Sequence, residues 1–178
     1  MPHPSRRTVR PADPSALASE REASTDPAGA SKRPVYTPVF RLQLVRERSV
    51  LNLPRVTGPA DLAPLVAAYL DGTDREHVVA VLLSSSHAVL GITTISTGTL
   101  TASLVSPREV MKVALLANAA SVVVAHNHPS GSLEPSGADV HVTRLLVEAG
   151  RVMEIPVHDH LILGYDGAYT SLKERGLM

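Results

Sequence analysis

The stretch from Ser121 to Gly150 constrains this chain more than any other part of it. Ser121 to Ala125 is a short apolar run without alternation, the pattern of a buried strand. His126-Asn127-His128-Pro129-Ser130-Gly131 comes next, and Pro and Gly there force the chain to turn. A helical pattern then runs from about Gly137 to Ala149, and Gly150 is expected to close it. A strand, a tight loop and a helix in this order need a sheet to sit in and further elements to cover it.

The rest of the chain supplies them. Gly58-Pro59 opens a helix through Leu62, Leu65, Val66 and Tyr69, ending at Gly72. Strands are expected near Val78 to Leu83 and Val89 to Ser96, joined by a turn over Ser84 to His87. Ser106-Pro107-Arg108-Glu109 reads as a capping box with proline at the first helical position, starting a helix that reaches about Asn118. A last strand is expected near Ile155 to Gly164, and Phe40, Leu42 and Leu44 alternate with Arg41 and Gln43 as an early one. The expectation is an α/β (α+β) domain over residues 35–178, a mixed sheet sandwiched by helices. Seven of the fourteen prolines fall in the first 38 residues. Residues 1–34 have no apolar period and are expected to form a disordered tail.

Composition narrows the function classes. Apolar residues make up 44% of the chain but aromatics only 3%, so the core must be Val, Leu, Ile and Ala. So few rings argue against a base-stacking platform. The 17 basic and 17 acidic residues cancel, which leaves no electrostatic footprint for nucleic acid or an anionic membrane. No long uncharged apolar run is present for a membrane span, and no apolar stretch succeeds the N-terminal basic residues as in a secretory signal. A cytoplasmic location is the default expectation. There is no cysteine, so a metal site here would have to use imidazole and carboxylate.

Five of the eight histidines lie after position 120. His126 and His128, two apart at the end of a strand, project to one side and can chelate one ion. Asp139 at the start of the next helix can supply an oxygen; three ligands leave the fourth position of a catalytic zinc open. The same residues have plainer uses. A His-x-His pair can be two satisfied polar residues, and Ser136-Gly137-Ala138-Asp139 is also a capping box. His158-Asp159-His160 forms a second cluster without an evident third ligand.

His126-x-His128, a seven-residue gap to Ser136 and a two-residue gap to Asp139 resemble the JAMM/MPN+ metalloprotease signature in type and spacing. The fuller string HNHPSG…PS..D, with Ser106-Pro107-Arg108-Glu109-Val110 before it and Asp159-His160 and Gly164 after it, resembles the RadC branch of that superfamily. The likeness covers residues 36 to 178. It implies a JAB/MPN-like fold with one Zn²⁺ per chain held by His126, His128 and Asp139. It implies Ser136 as donor to the developing oxyanion and, as catalytic base, a glutamate just before an apolar strand. Glu76 fits that place; Glu109 is the other candidate, with a capping role of its own. Asp159 and His160 would be polar groups that either serve the fold or support the ligands. The implied activity is hydrolysis of a peptide or isopeptide bond in a peptide or protein substrate. The alternatives are a non-catalytic metal-binding interaction module and a DNA-associated protein. Many relatives of this type carry an N-terminal helical domain associated with DNA binding. Here a proline-rich tail stands in that place, and with zero net charge it argues against the DNA role.

Overall fold

The computed structural model describes residues 55–98 and 105–178, together with the isolated positions 38, 44, 45 and 47. The expected tail over 1–34 and the early strand residues Phe40 to Gln43 lie outside the described residues; Leu44 is described, exposed and in no strand. The described elements include three helices and five strands: α1 Pro59–Leu70, β1 Glu76–Leu83, β2 Val89–Gly98, α2 Pro107–Leu116, β3 Ser121–Asn127, α3 Gly137–Val152, β4 Val157–Leu163 and β5 Tyr169–Ser171. The strands form one mixed sheet in the order β2-β1-β3-β4-β5. All neighbours are antiparallel except β3 and β4, which run parallel with α3 as their crossover. This is the expected α/β architecture.

The apolar runs of β1 and β3 have their cause in this order. Both strands are central and both faces are covered, so neither face can be polar. Val79, Val81 and Leu83 of β1, with Val123 and Ala125 of β3, pack under Leu62, Leu65 and Val66 of α1. Val78, Ala80 and Leu82, with Val122 and Val124, face the opposite way, against Val110, Met111 and Ala114 of α2 and Leu146 of α3. Edge strand β2 has only intermediate and exposed positions. Among the described residues, no helix is long and apolar enough to cross a membrane.

Three local expectations are corrected. Gly150 does not end α3, which continues to Val152. A Cβ there would stand 2.6 Å from the Ile155 carbonyl oxygen, so the glycine serves a close approach of helix to chain. The left-handed residue after the helix is Glu154 (φ 55°). Ser106 precedes α2 but makes no side-chain capping bond, and Glu109 pairs with Lys112 one turn on instead. The tail after β4 is ordered into β5, which pairs with Leu161 to Leu163.

Candidate metal centre

β3 carries His126 near its C-terminal end on the α3 face, and His128 is the first residue past the strand. There the backbone turns: the Gly131 N–H donates to the His128 carbonyl (2.8 Å), with Gly131 left-handed at φ 74°. A Cβ on Gly131 would run into the Tyr165 ring, so only glycine fits. Tyr165 Oη also donates a short hydrogen bond to the Pro129 carbonyl, and Arg175 holds Glu134 through two contacts of 2.8 and 3.0 Å. The segment after β4 thus fastens the loop that carries the motif. The loop ends at Ser136, the N-cap of α3. Its Oγ accepts from Asp139 N–H (3.1 Å), while its own N–H donates to Asp139 Oδ2 (2.7 Å). The expected capping box is therefore present, and it aims Asp139 back at the strand end.

His126, His128 and Asp139 converge. Their candidate ligand atoms all lie within 4.8 Å of one another. Nε2 of His126 stands 3.0 Å from Nε2 of His128 and 3.6 Å from Asp139 Oδ1, and His128 Nε2 is 3.8 Å from Asp139 Oδ2.

The proton positions are set by the partners. His128 Nδ1 lies 2.8 Å from the Ser132 carbonyl, which can only accept; in the neutral ring, the form that ligates a metal, Nδ1 carries the hydrogen and Nε2 the lone pair. Thr143 Oγ lies 2.5 Å from both the Asp139 carbonyl and His160 Nδ1. It donates to the carbonyl and so accepts from His160 Nδ1–H. His160 Nε2 then accepts from His126 Nδ1–H at 2.9 Å, which leaves the His126 Nε2 lone pair facing His128. Two nitrogen lone pairs 3.0 Å apart beside a carboxylate repel unless a cation lies between them. Ligands of a tetrahedral ion with bonds of about 2.0–2.1 Å stand about 3.3 Å apart. The donor set therefore fits a divalent metal.

Electrostatics point the same way. Burial pushes His126 down to about 4, and Asp139 only partly offsets this, so the ring is neutral at pH 7 and free to ligate. Burial, with His126 beside it, takes His160 to about 3. Burial works to raise Asp139, yet the Ser136 hydroxyl and N–H hold it below the ordinary value and keep it anionic. Glu76 opens β1. It precedes by two residues Val78, which stands opposite His126 at the end of the paired register, so Glu76 lies on the same face of β1 as that residue. Burial raises its pKa, Asp139 adds to the rise and His128 opposes it. Glu109 sits on α2, paired with Lys112.

Ser136 and His160 lie at the site; Asp159 does not. The Ser136 hydroxyl donates to Asp139 Oδ2 at 2.6 Å, so its hydrogen is engaged by that carboxylate. Asp159 takes the structural alternative. The β3–β4 register skips His158, setting Val123 opposite Asp159 and Val124 opposite His160. His160 therefore shares the α3 face with the site, and Asp159 faces the α1 side. There it accepts from Ser171 Oγ (2.7 Å) and Lys173 N–H (3.2 Å), tying down β5 and the turn after it. The same skip parts His158 from His160; His158 packs edge-on against His87, ring centroids 5.4 Å apart. Sequence reasoning misses Thr143 and Tyr165. Both act across distances that local sequence patterns do not report.

The family description of a RadC-like JAB domain matches residues 56–177. The chain belongs to the RadC-like JAB family. A UPF0758 protein of Rubrobacter xylanophilus is 48% identical over 140 residues, 77% of this chain and 61% of that protein. A UPF0758 protein of Moorella thermoacetica is 46% identical over 139 residues, 77% of this chain and 60% of that protein. The chain thus spans about three fifths of the length of these curated relatives. The family resemblance read from the histidine loop and the JAB-type α/β fold are both borne out.

Proposed function

We propose that this JAB domain is a zinc-dependent metallohydrolase that cleaves a peptide or isopeptide amide bond in a cytoplasmic peptide or protein. The observation that carries the reading is the facing pair of Nε2 lone pairs on His126 and His128, closed by an anionic Asp139. The JAB family includes metallopeptidases, which agrees with it. Zn²⁺ held by these three residues would polarise a scissile carbonyl and lower the pKa of a water to about 7.

The remaining work falls to the chain's own side chains. Glu76, at the start of β1 and with its proton affinity raised by burial, takes the proton of the attacking water and returns it to the leaving amine. The Ser136 hydroxyl turns from Asp139 Oδ2 to the developing oxyanion; losing one such donor typically costs about 2.7–4 kcal/mol of barrier. His160 and Thr143 keep the His126 ring in the one tautomer and orientation that present Nε2 to the ion.

The test is Glu76→Gln, assayed for zinc content and for hydrolysis of a fluorogenic peptide library. The variant keeps one zinc per chain and loses about 10²-fold or more in kcat. A parent protein that binds no stoichiometric zinc refutes the mechanism. A parent that binds zinc and cleaves nothing supports the non-catalytic module instead.

A further inference from the structure

Asn127, the residue between the two histidines, points away from them. Backbone pairing between β1 and β3 stops at Val78 opposite His126. Past that point β3 leaves for its loop, and His128 N–H donates to the Leu163 carbonyl on the other side (3.3 Å). The Asn127 side chain fills the missing rung. Its Oδ1 accepts from His77 N–H at 2.8 Å, and its Nδ2 donates to the Arg75 carbonyl at 3.0 Å. One carboxamide, which has the donor and acceptor of a peptide group, thus grips the backbone on both sides of Glu76. His77 Nδ1 lies 3.0 Å from the same Arg75 carbonyl and reinforces that end.

We infer that Asn127 is a positioning residue for Glu76: it fixes the backbone on either side of that residue, so that the Glu76 carboxylate is held at a set distance from the metal site. The inference rests on the role proposed for Glu76. Aspartate would keep the acceptor and lose the donor, and an aliphatic residue would lose both. A misplacement of about 1 Å in a catalytic group can cost about 10²-fold in rate.

The test compares Asn127→Leu, close in shape but without hydrogen bonds, with Asn127→Ala, both in the full chain loaded with zinc. Four readouts are taken: kcat and KM on the fluorogenic peptide, zinc content, His77 amide hydrogen exchange, and a crystal structure. The expected result is a roughly ten- to hundredfold fall in kcat at unchanged KM and zinc stoichiometry, about tenfold or more faster His77 exchange, and a displaced Glu76. In a Glu76→Gln background the same substitution changes the residual rate by less than about twofold, because it acts only through Glu76. Loss of zinc, or an equal loss of rate in that background, would overturn the inference. If the zinc-loaded parent cleaves no peptide, the proposed hydrolase role fails by itself. The clamp is then decided by exchange and structure: an unmoved Glu76 and an unchanged His77 amide would refute it.

Discussion

His126 and His128 are two residues apart, on the same strand end and the same face, yet they are built into the molecule differently. His126 is 1% exposed, and its far nitrogen is held by an entirely side-chain relay, His160 and then Thr143. His128 is partly exposed, and its far nitrogen rests on a backbone carbonyl of its own loop. One imidazole is anchored by the core and the other by a turn. The buried half of the site is therefore coupled to folding, while the outer half is coupled to the loop that Tyr165 and Arg175 hold.

The largest expected effect separates the two. His126→Ala and His128→Ala both lose the metal. Only His126→Ala also strands a buried His160 nitrogen and opens a cavity, costing about 2–4 kcal/mol of stability in the metal-free protein. His128→Ala costs well under half of that. Chemical denaturation of both stripped variants measures the gap, and equal losses would erase the distinction.

Acid gives a comparable effect on the buried half alone. His126 is lowered from 6.5 to about 4 by burial, so the unfolded chain binds its proton at a higher pH than the folded one. Stability of the metal-free domain is full above about pH 6.5 and falls as pH drops toward 4. For His126 alone the loss between about pH 7 and pH 5 is on the order of 2 kcal/mol, and His160 adds to it. Asp139, lowered from 3.8, stabilises the fold above that value and loses this contribution only as pH falls below it. Urea midpoints at these two pH values read the difference, and His126→Ala flattens it.

Thr143→Val is a smaller change of nearly the same shape. It leaves the His160 Nδ1–H without its acceptor and removes about 1–3 kcal/mol of stability. Zinc affinity falls about 10–100-fold, as expected when a group supporting a ligand imidazole is lost. Competition with a chelator measures it. An unchanged affinity would show that the relay serves the fold and not the metal.

This difference in anchoring also decides which parts were legible in the sequence. His126, His128, Ser136 and Asp139 lie within fourteen residues, and two local rules, the period of a strand and a helix cap, suffice to converge them. The apolar runs of β1 and β3 reported their burial directly. The relay required strand order: His160 is 34 residues from His126, and only the skipped His158 decides that His160, not Asp159, turns to the site. The Ser106 box failed because sequence shows which capping groups are present, not which bond they choose; Glu109 took Lys112. β5 is three residues long, too short to carry a pattern.

The proposed chemistry depends on His126, His128 and Asp139 forming one metal centre. Zinc stoichiometry combined with X-ray absorption at the zinc edge tests this most directly. The expected result is one zinc per chain with two imidazole nitrogens and oxygen in its shell, and none in the double variant His126→Ala, His128→Ala. A parent chain without zinc, or a double variant that keeps it, would show that these three residues are not a metal centre.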